Sequence, residues 1–276
     1  MWVAESQYEV LGTRFGVRFD DADVGKRVDA LLGPFQQPTL QPVRSKNLFA
    51  MATNRPGDDR HHAFRDCSRI GRSESWTEVL DALLAEINRR AIGNMEYFGV
   101  HAGVVATGNR AIALPAPSGA GKSTLVAASV KAGFEYVSDE ALCLDYASGS
   151  VIPYPKAFNL SRWSIEKLGL ILPDNDPGSG RTKNPVSPDH LGGHIAGRPL
   201  ELSAVVFSER RPGKPSLATI PPSEVMAGLL KYSFNHYRRP GDAFALTAKL
   251  AGLSRGWKLE YEDPGEAADL MLSELG

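Results

Sequence analysis

The stretch AIALPAPSGAGKSTLVAASV, Ala111 to Val130, constrains the fold more than any other part of the chain. AIAL reads as a strand and TLVAASV as a helix, with a glycine-containing turn between them, which points to an α/β fold. Such a turn leaves several backbone N–H groups directed at one anion, and the dipole of the following helix adds to the field. Ala116 to Ser123 spells A-P-S-G-A-G-K-S, the phosphate-loop pattern G-x-x-x-x-G-K-[ST] with alanine for the first glycine. The roles follow from the residue types. Lys122 is a point charge for β- and γ-phosphates, and the Ser123 hydroxyl is a ligand for Mg²⁺. Ser118, Gly119, Ala120, Gly121, Lys122, Ser123 and Thr124 form the expected nucleotide-binding run.

Asp139 follows Lys122 after the helix ends at Gly133 and FEYV returns as a strand. That path delivers Ser138-Asp139-Glu140 beside the phosphate loop. Two neighbouring acids there can divide labour, one holding Mg²⁺ and the other taking a proton from an acceptor hydroxyl. Asp145, after the apolar run ALCL, is the rival metal ligand if the chain is an ordinary motor-type ATPase. Lys156 and Arg211 are further cations that could meet charge developing on a transferred phosphoryl group. Arg162, Arg181, Lys183 and Arg198 lie in or near a Gly/Pro-rich 160–200 region that could be a lid or an acceptor-binding loop. FNHYRRPGD, Phe234 to Asp242, could bind a peptide or a small polar acceptor.

The remaining segments supply elements around this centre. Residues 7–19 alternate apolar and polar around Gly12 and predict two short strands with a glycine turn. A short helix is expected over 25–35. Residues 51–75, including NRPGDDRHH, read as a charged loop. The adjacent His61 and His62 point in different directions and do not easily share a metal. Trp76 to Ala91 is amphipathic at helical spacing, with Ser75 and Glu78 as a capping box. A boundary is expected near residue 95. FGVHAGVVA and RAIALPA predict a hairpin turning at Thr107-Gly108-Asn109. Residues 173–200 read as a long loop. Helices are expected over 222–232, capped by Ser223, and over 243–253. WKLEYED and EAADLMLSEL then predict a final strand and helix.

Bulk composition excludes some classes. The net charge of −1 argues against an obligate nucleic-acid binder. Cys67 and Cys143 make neither a disulfide framework nor a zinc site. With no secretory signal pattern and no apolar run of about 20 residues, a soluble cytoplasmic protein without membrane partners is expected.

Three pieces in order, HAGVVA from His101, APSGAGKST from Ala116 and AGFEYVSDEALCLD from Ala132, resemble the C-terminal catalytic domain of HPr serine kinase/phosphorylase. That domain has a His-Gly-containing strand before its phosphate loop, then a short helix, then an Asp-Asp pair. PYPKAFNL and FSERRPGKPSLATIPPSEVMAGLL look like the shorter HPr-kinase-related proteins, including lasso-peptide kinases that phosphorylate a serine hydroxyl. The resemblance implies the phosphoenolpyruvate-carboxykinase/HPr-kinase-like P-loop core, with a mixed sheet, over 96–276. The resemblance does not extend to residues 1–95, which do not look like the bifunctional enzyme's N-terminal domain. They are expected to form a small α/β region that is accessory or docks an acceptor or partner.

Carried over by position, Asp139 would be the general base, Glu140 the Mg²⁺ ligand, and His101 a neighbour of the γ-phosphate or metal. The second acid is Glu where the family has Asp, and the C-terminal signature of phosphorolysis and HPr docking is absent. The expected cofactors are ATP, with GTP left open, and Mg²⁺. The expected activity is phosphoryl transfer to a peptide or protein serine or a small alcohol. The oligomeric state, including a homo-oligomer, stays open. The alternatives are a catalytically silent nucleotide-binding module, a carboxykinase-like decarboxylating enzyme and an ordinary NTPase.

Overall fold

The computed structural model describes residues 2–38, 41–53, 57–171 and 183–276. The chain is α/β with mixed sheets and divides into two compact units, 1–95 with 172–186, and 96–171 with 187–276.

In the first unit, β1 (Ala4–Val10) and β2 (Thr13–Phe19) form an antiparallel hairpin around Leu11-Gly12. The helix α1 (Ala22–Leu32) begins three residues earlier than its apolar spacing predicts, because the Asp21 side chain accepts from Asp23 N and Val24 N. The chain then returns as β3 (Leu48–Ala52), parallel to β2. The expected loop over 51–75 instead folds mostly as β4 (His61–Arg65) and β5 (Ser68–Ser73), completing a sheet of order β1-β2-β3-β4-β5. His62 is buried against Asp58, 3.1 Å from Nε2 to Oδ2, while His61 is half-buried on the alternate face.

The amphipathic stretch forms α2 (Trp76–Asn94), which packs on β4 and β5 and buries Val79, Leu80, Leu83 and Ile87. Its predicted capping box does not form. Ser75 Oγ pairs with Thr77 Oγ1 at 2.8 Å, and the Glu78 carboxylate accepts from Ser73 Oγ instead.

The second unit is built around β6 (Phe98–Thr107) and β7 (Arg110–Pro115), the predicted hairpin. The helix α3 (Lys122–Ala132) follows, with Gly133 as its left-handed C-cap. Next come β8 (Glu135–Ser138), β9 (Ala141–Leu144), β10 (Val151–Ile152), β11 (Phe158–Ser161) and α4 (Arg162–Lys167). A short strand, β12 (Lys183–Val186), clusters with the first unit. The described part of the expected 173–200 loop therefore contains this strand and a turn of 3₁₀ helix over Pro188–Leu191.

After these, β13 (Glu201–Arg210), β14 (Ser216–Ile220), α5 (Pro222–Lys231), α6 (Pro240–Leu253), β15 (Arg255–Tyr261) and α7 (Pro264–Leu275) complete the unit. Ser223 is not the cap of α5. Pro222 occupies the first helical turn, where its missing N–H costs nothing, so the helix starts one residue before the expected cap.

The main sheet runs β10-β9-β6-β7-β13-β15-β14, with β8 also on β6. The pairs β7/β13 and β13/β15 are parallel and the others antiparallel, so the sheet is mixed. Alternate residues of β6 face opposite ways. Val100, Ala102 and Val104 join a core with Val225 and Leu229 of α5 and Leu246 and Leu250 of α6. Gly103 faces α3, and a Cβ there would stand 2.3 Å from Val126 Cγ2. Only glycine lets this helix lie so close to the strand. Among the described residues, no helix is long and apolar enough to cross a membrane.

Candidate active site

The strand β7 leads directly into the phosphate-loop sequence, and α3 begins at Lys122. Gly119 and Gly121 have φ of 83° and 87°, in the left-handed region that the turn requires. Gly121 is the N-cap of α3 and makes no side-chain cap. The first turn of the helix thus presents its N–H groups without a side-chain acceptor at the cap, the arrangement an anion exploits. Pro117, Ser118 and Gly119 are exposed and Ser123 half-buried, whereas Lys122 and Thr124 are buried. The sequence-predicted run therefore splits into an outward backbone rim and inward side chains.

The acids reach this loop through a kink between two strands that share one partner. Both β8 and β9 pair with β6, with Ser138 opposite Val104 and Ala141 opposite His101. Asp139 and Glu140 are the residues left between them, opposite Ala102-Gly103. Ser138 Oγ closes the kink by accepting from Glu140 N at 3.2 Å and Ala141 N at 3.1 Å. Ala102 N donates to the Glu140 carbonyl at 3.3 Å. Lys122 Nζ donates to the Asp139 carbonyl at 3.1 Å, which joins the phosphate-loop lysine to the acid pair.

The Asp139 side chain is 2% exposed. Its buried charge is compensated by Lys156, whose Nζ lies 3.0 Å from Asp139 Oδ1 and 3.6 Å from Glu140 Oε2. Burial works against the charge on Lys156, but Asp139 and then Glu140 outweigh it, and its pKa lies above the ordinary 10.5. Lys156 also donates to the Ala157 carbonyl, and Tyr136 Oη donates to the Lys156 carbonyl at 2.7 Å. Burial first, and then the Asp139 charge, push the Tyr136 phenol far above its usual range, so it stays a neutral donor.

His101 stands at the other side of the pair, its Nδ1 3.8 Å from Glu140 Oε1. Its Nε2 is buried with no hydrogen-bond partner, and its ring meets Phe234 edge-on at 5.6 Å. Burial and then the Lys122 charge hold its pKa below 6.5, against the opposing pull of Glu140. The imidazole is therefore biased towards its neutral form. An unpartnered nitrogen beside a lysine and two carboxylates is a group whose partner the fold does not itself supply.

Five of the sequence-predicted site residues, His101, Lys122, Asp139, Glu140 and Lys156, are thus joined by a continuous chain of contacts. Asp145 is elsewhere. Its carboxylate accepts from Ala147 N, Ser148 N and Ser148 Oγ and is committed to the turn before β10. Arg211 pairs with Glu209 and Glu260, Arg162 with Glu166 along an exposed helix face, and Arg198 with Glu135. Lys183 is exposed at the start of β12, and Arg181 lies outside the described residues.

From FNHYRRPGD, Phe234 reaches the cluster through its ring contact with His101. Asn235 ties the segment down, accepting from Gly99 N and donating to the Tyr97 carbonyl. Arg239 covers the Tyr146 ring and pairs with Asp242. Sequence reasoning missed Tyr136, the hydrogen-bond donor behind Lys156, and Gly103. Their signals, a tyrosine and a glycine at alternate positions of strands, are too common to single out.

Among the described residues, no group of three or more His, Cys, Asp and Glu side chains is arranged to hold a metal by itself. Mg²⁺ does not require one, because it keeps waters and substrate phosphate oxygens beside one or two protein ligands. The hard oxygens of Glu140 and Ser123 suit that mode. The Lys156 ammonium on Glu140 Oε2 marks a point where the fold already accommodates a cation.

No protein-family model matches the chain, and no curated protein matches it significantly.

Proposed function

We propose that the chain is a Mg·ATP-dependent phosphotransferase of the HPr-kinase-related kind, moving the γ-phosphate to a hydroxyl of a peptide, a protein serine or a small alcohol. The observation that carries this reading is the Lys122–Asp139 contact. It ties the lysine of a phosphate-loop sequence to the main chain that carries a buried Asp139 and a half-buried Glu140, which supports a reading as phosphoryl transfer. Mg²⁺, when bound, would screen the phosphate charge between Ser123 and Glu140.

The chain's own groups do the rest. Backbone N–H groups of Gly119 to Ser123 hold the phosphates, and Lys122 meets their charge. Asp139 takes the proton of the acceptor hydroxyl. The acceptor oxygen then bonds to the γ-phosphorus as the bond to the β-phosphate oxygen breaks, and the nucleoside diphosphate leaves. Lys156 keeps Asp139 compensated until the acceptor arrives. His101, biased neutral, can accept or donate one hydrogen bond at Nε2.

A second reading, a silent nucleotide-binding module, draws on the same lysine, because Lys156 already compensates both acids. Phosphate transfer from labelled ATP separates the two. Purified protein with Mg²⁺ is incubated with hydroxyl-bearing acceptors and with peptides encoded beside its gene, next to Asp139→Asn. Acceptor-dependent incorporation that the variant loses supports the kinase. Equal incorporation by the variant would remove Asp139 from the chemistry, and nucleotide binding without transfer would favour the silent module.

A further inference from the structure

A second feature of the same unit stands apart from the acids. The N-terminus of α4 is fastened to the first turn of α3, where Ser164 Oγ and Thr124 Oγ1 pair at 2.8 Å, both buried. Ser161 caps α4 by accepting from Ser164 N at 3.1 Å. At the other end of α4, Lys167 pairs with Asp263, the N-cap residue of α7. The short helix is thus held at both ends, yet Trp163 within it is 46% exposed. One face of its indole is covered by Arg210, whose Cζ lies 4.8 Å from the ring centroid.

Arg210 ends β13 at the edge where the phosphate loop begins. The strands run parallel with Val205 opposite Ala113, so Arg210 stands beyond the end of β7. Arg210 is also paired with Tyr261, the last residue of β15. The Tyr261 hydroxyl lies 3.5 Å from the point a Cβ on Gly121 would occupy. The tryptophan is therefore tied to the loop from two directions, through Ser164 to Thr124 and through Arg210 and Tyr261 to Gly121.

A fixed, half-open indole with a guanidinium behind it offers a planar π-face, and a nucleobase presents the matching surface. Leaving a tryptophan this exposed forfeits apolar burial that the fold could have used. From this placement we propose that Trp163, backed by Arg210, is the nucleobase subsite of the nucleotide site. The proposal rests on the phosphate-loop reading and deepens it. Stacking uses the face of a base and not its edge, so it accepts any purine. The ligand class is a purine nucleoside triphosphate, with ATP and GTP held alike.

The test compares ligands with and without a base. The full-length chain is titrated calorimetrically with Mg·ATP, Mg·GTP and Mg·tripolyphosphate, beside Trp163→Ala and Trp163→Phe. Trp163→Ala is expected to weaken ATP and GTP by at least about fivefold, the lower end of a lost base stack. Tripolyphosphate should bind the variant as it binds the wild type, and Trp163→Phe should recover most of the nucleotide affinity. The subsite is overturned if Trp163→Ala leaves ATP unchanged, or if it weakens tripolyphosphate as much as ATP. In both cases wild-type binding of tripolyphosphate would keep the phosphate loop itself intact. Failure of the wild type to bind any of the three would overturn both readings together.

Discussion

Removing the Lys156 ammonium is the sharpest probe of the acid pair. At an effective dielectric constant of about 20, unit charges at the 3.0 Å separation of Lys156 and Asp139 attract by about 5.5 kcal/mol. Desolvation offsets part of that gain in the intact pair. It does not help a carboxylate that is 2% exposed in the intact protein and loses its partner. Breaking such a pair costs about 3–5 kcal/mol, and Lys156→Met keeps the aliphatic stem while doing so. At about 2–4 °C per kcal/mol for a domain of this size, the melting temperature should fall by roughly 6–20 °C.

Asp139→Asn in the same background removes the stranded charge, so the double variant should be at least about 2 kcal/mol more stable than the two single costs summed. Urea unfolding of the four proteins measures this cycle. Arg162→Ala breaks an exposed pair and should leave the midpoint unchanged, which controls for any generic effect of losing a cation. A Lys156→Met protein within about 1 kcal/mol of wild type, or strict additivity in the double variant, would refute the argument that burial makes this contact strong.

Three further outcomes are expected. Gly103→Ala should cost about 1–3 kcal/mol and weaken tripolyphosphate binding, since its Cβ would push Val126 and with it the first turn of α3; Gly103→Ala with Val126→Ala should recover both, and unchanged calorimetric affinity in the single variant would contradict the close approach. Asp145→Asn should leave Mg²⁺-dependent nucleotide affinity unchanged, because its carboxylate serves its own turn; loss of the Mg²⁺ dependence would return Asp145 to the metal site. The pKa of His101 is lowered by folding, so the unfolded chain binds its proton first and this residue subtracts stability as pH falls below about 6.5. His101→Gln should flatten the stability profile below that pH in a urea series, and an unaltered slope would show that the ring is not held neutral.

The sequence disclosed elements whose signal is local. The helix α2 is legible because its apolar residues recur at helical spacing, and the β6/β7 hairpin because Gly108-Asn109 marks its turn. The hairpin of β4 and β5 was missed for a packing reason. The strand β5, SRIGRS, has no fully buried residue, and α2 rests on it at Gly71, where a Cβ would come within 2.9 Å of Ala82 Cβ. A strand that receives its helix on glycine carries almost no apolar alternation.

The phosphate-loop sequence and the acid pair were readable from spacing. The weight of Lys156 was not, because a lysine between a proline and an apolar stretch looks like a solvated turn. Its burial is decided by Tyr136, Asp139 and Glu140, which reach it only once β8 and β9 lie along β6. Arg211 shows the converse, since an identical sequence argument led to a surface network.

The arrangement of β8 and β9 on one edge of β6, with β7 on the other, makes that strand a gauge. The loop that would grip phosphate leaves from one neighbour, and the acids project from the other. Their spacing is therefore counted in two inter-strand steps of about 4.8 Å, fixed by main-chain hydrogen bonds. Side chains on either rim can be exchanged without resetting that distance. The residues around the loop and the acids could thus drift while the reach from one to the other stays constant.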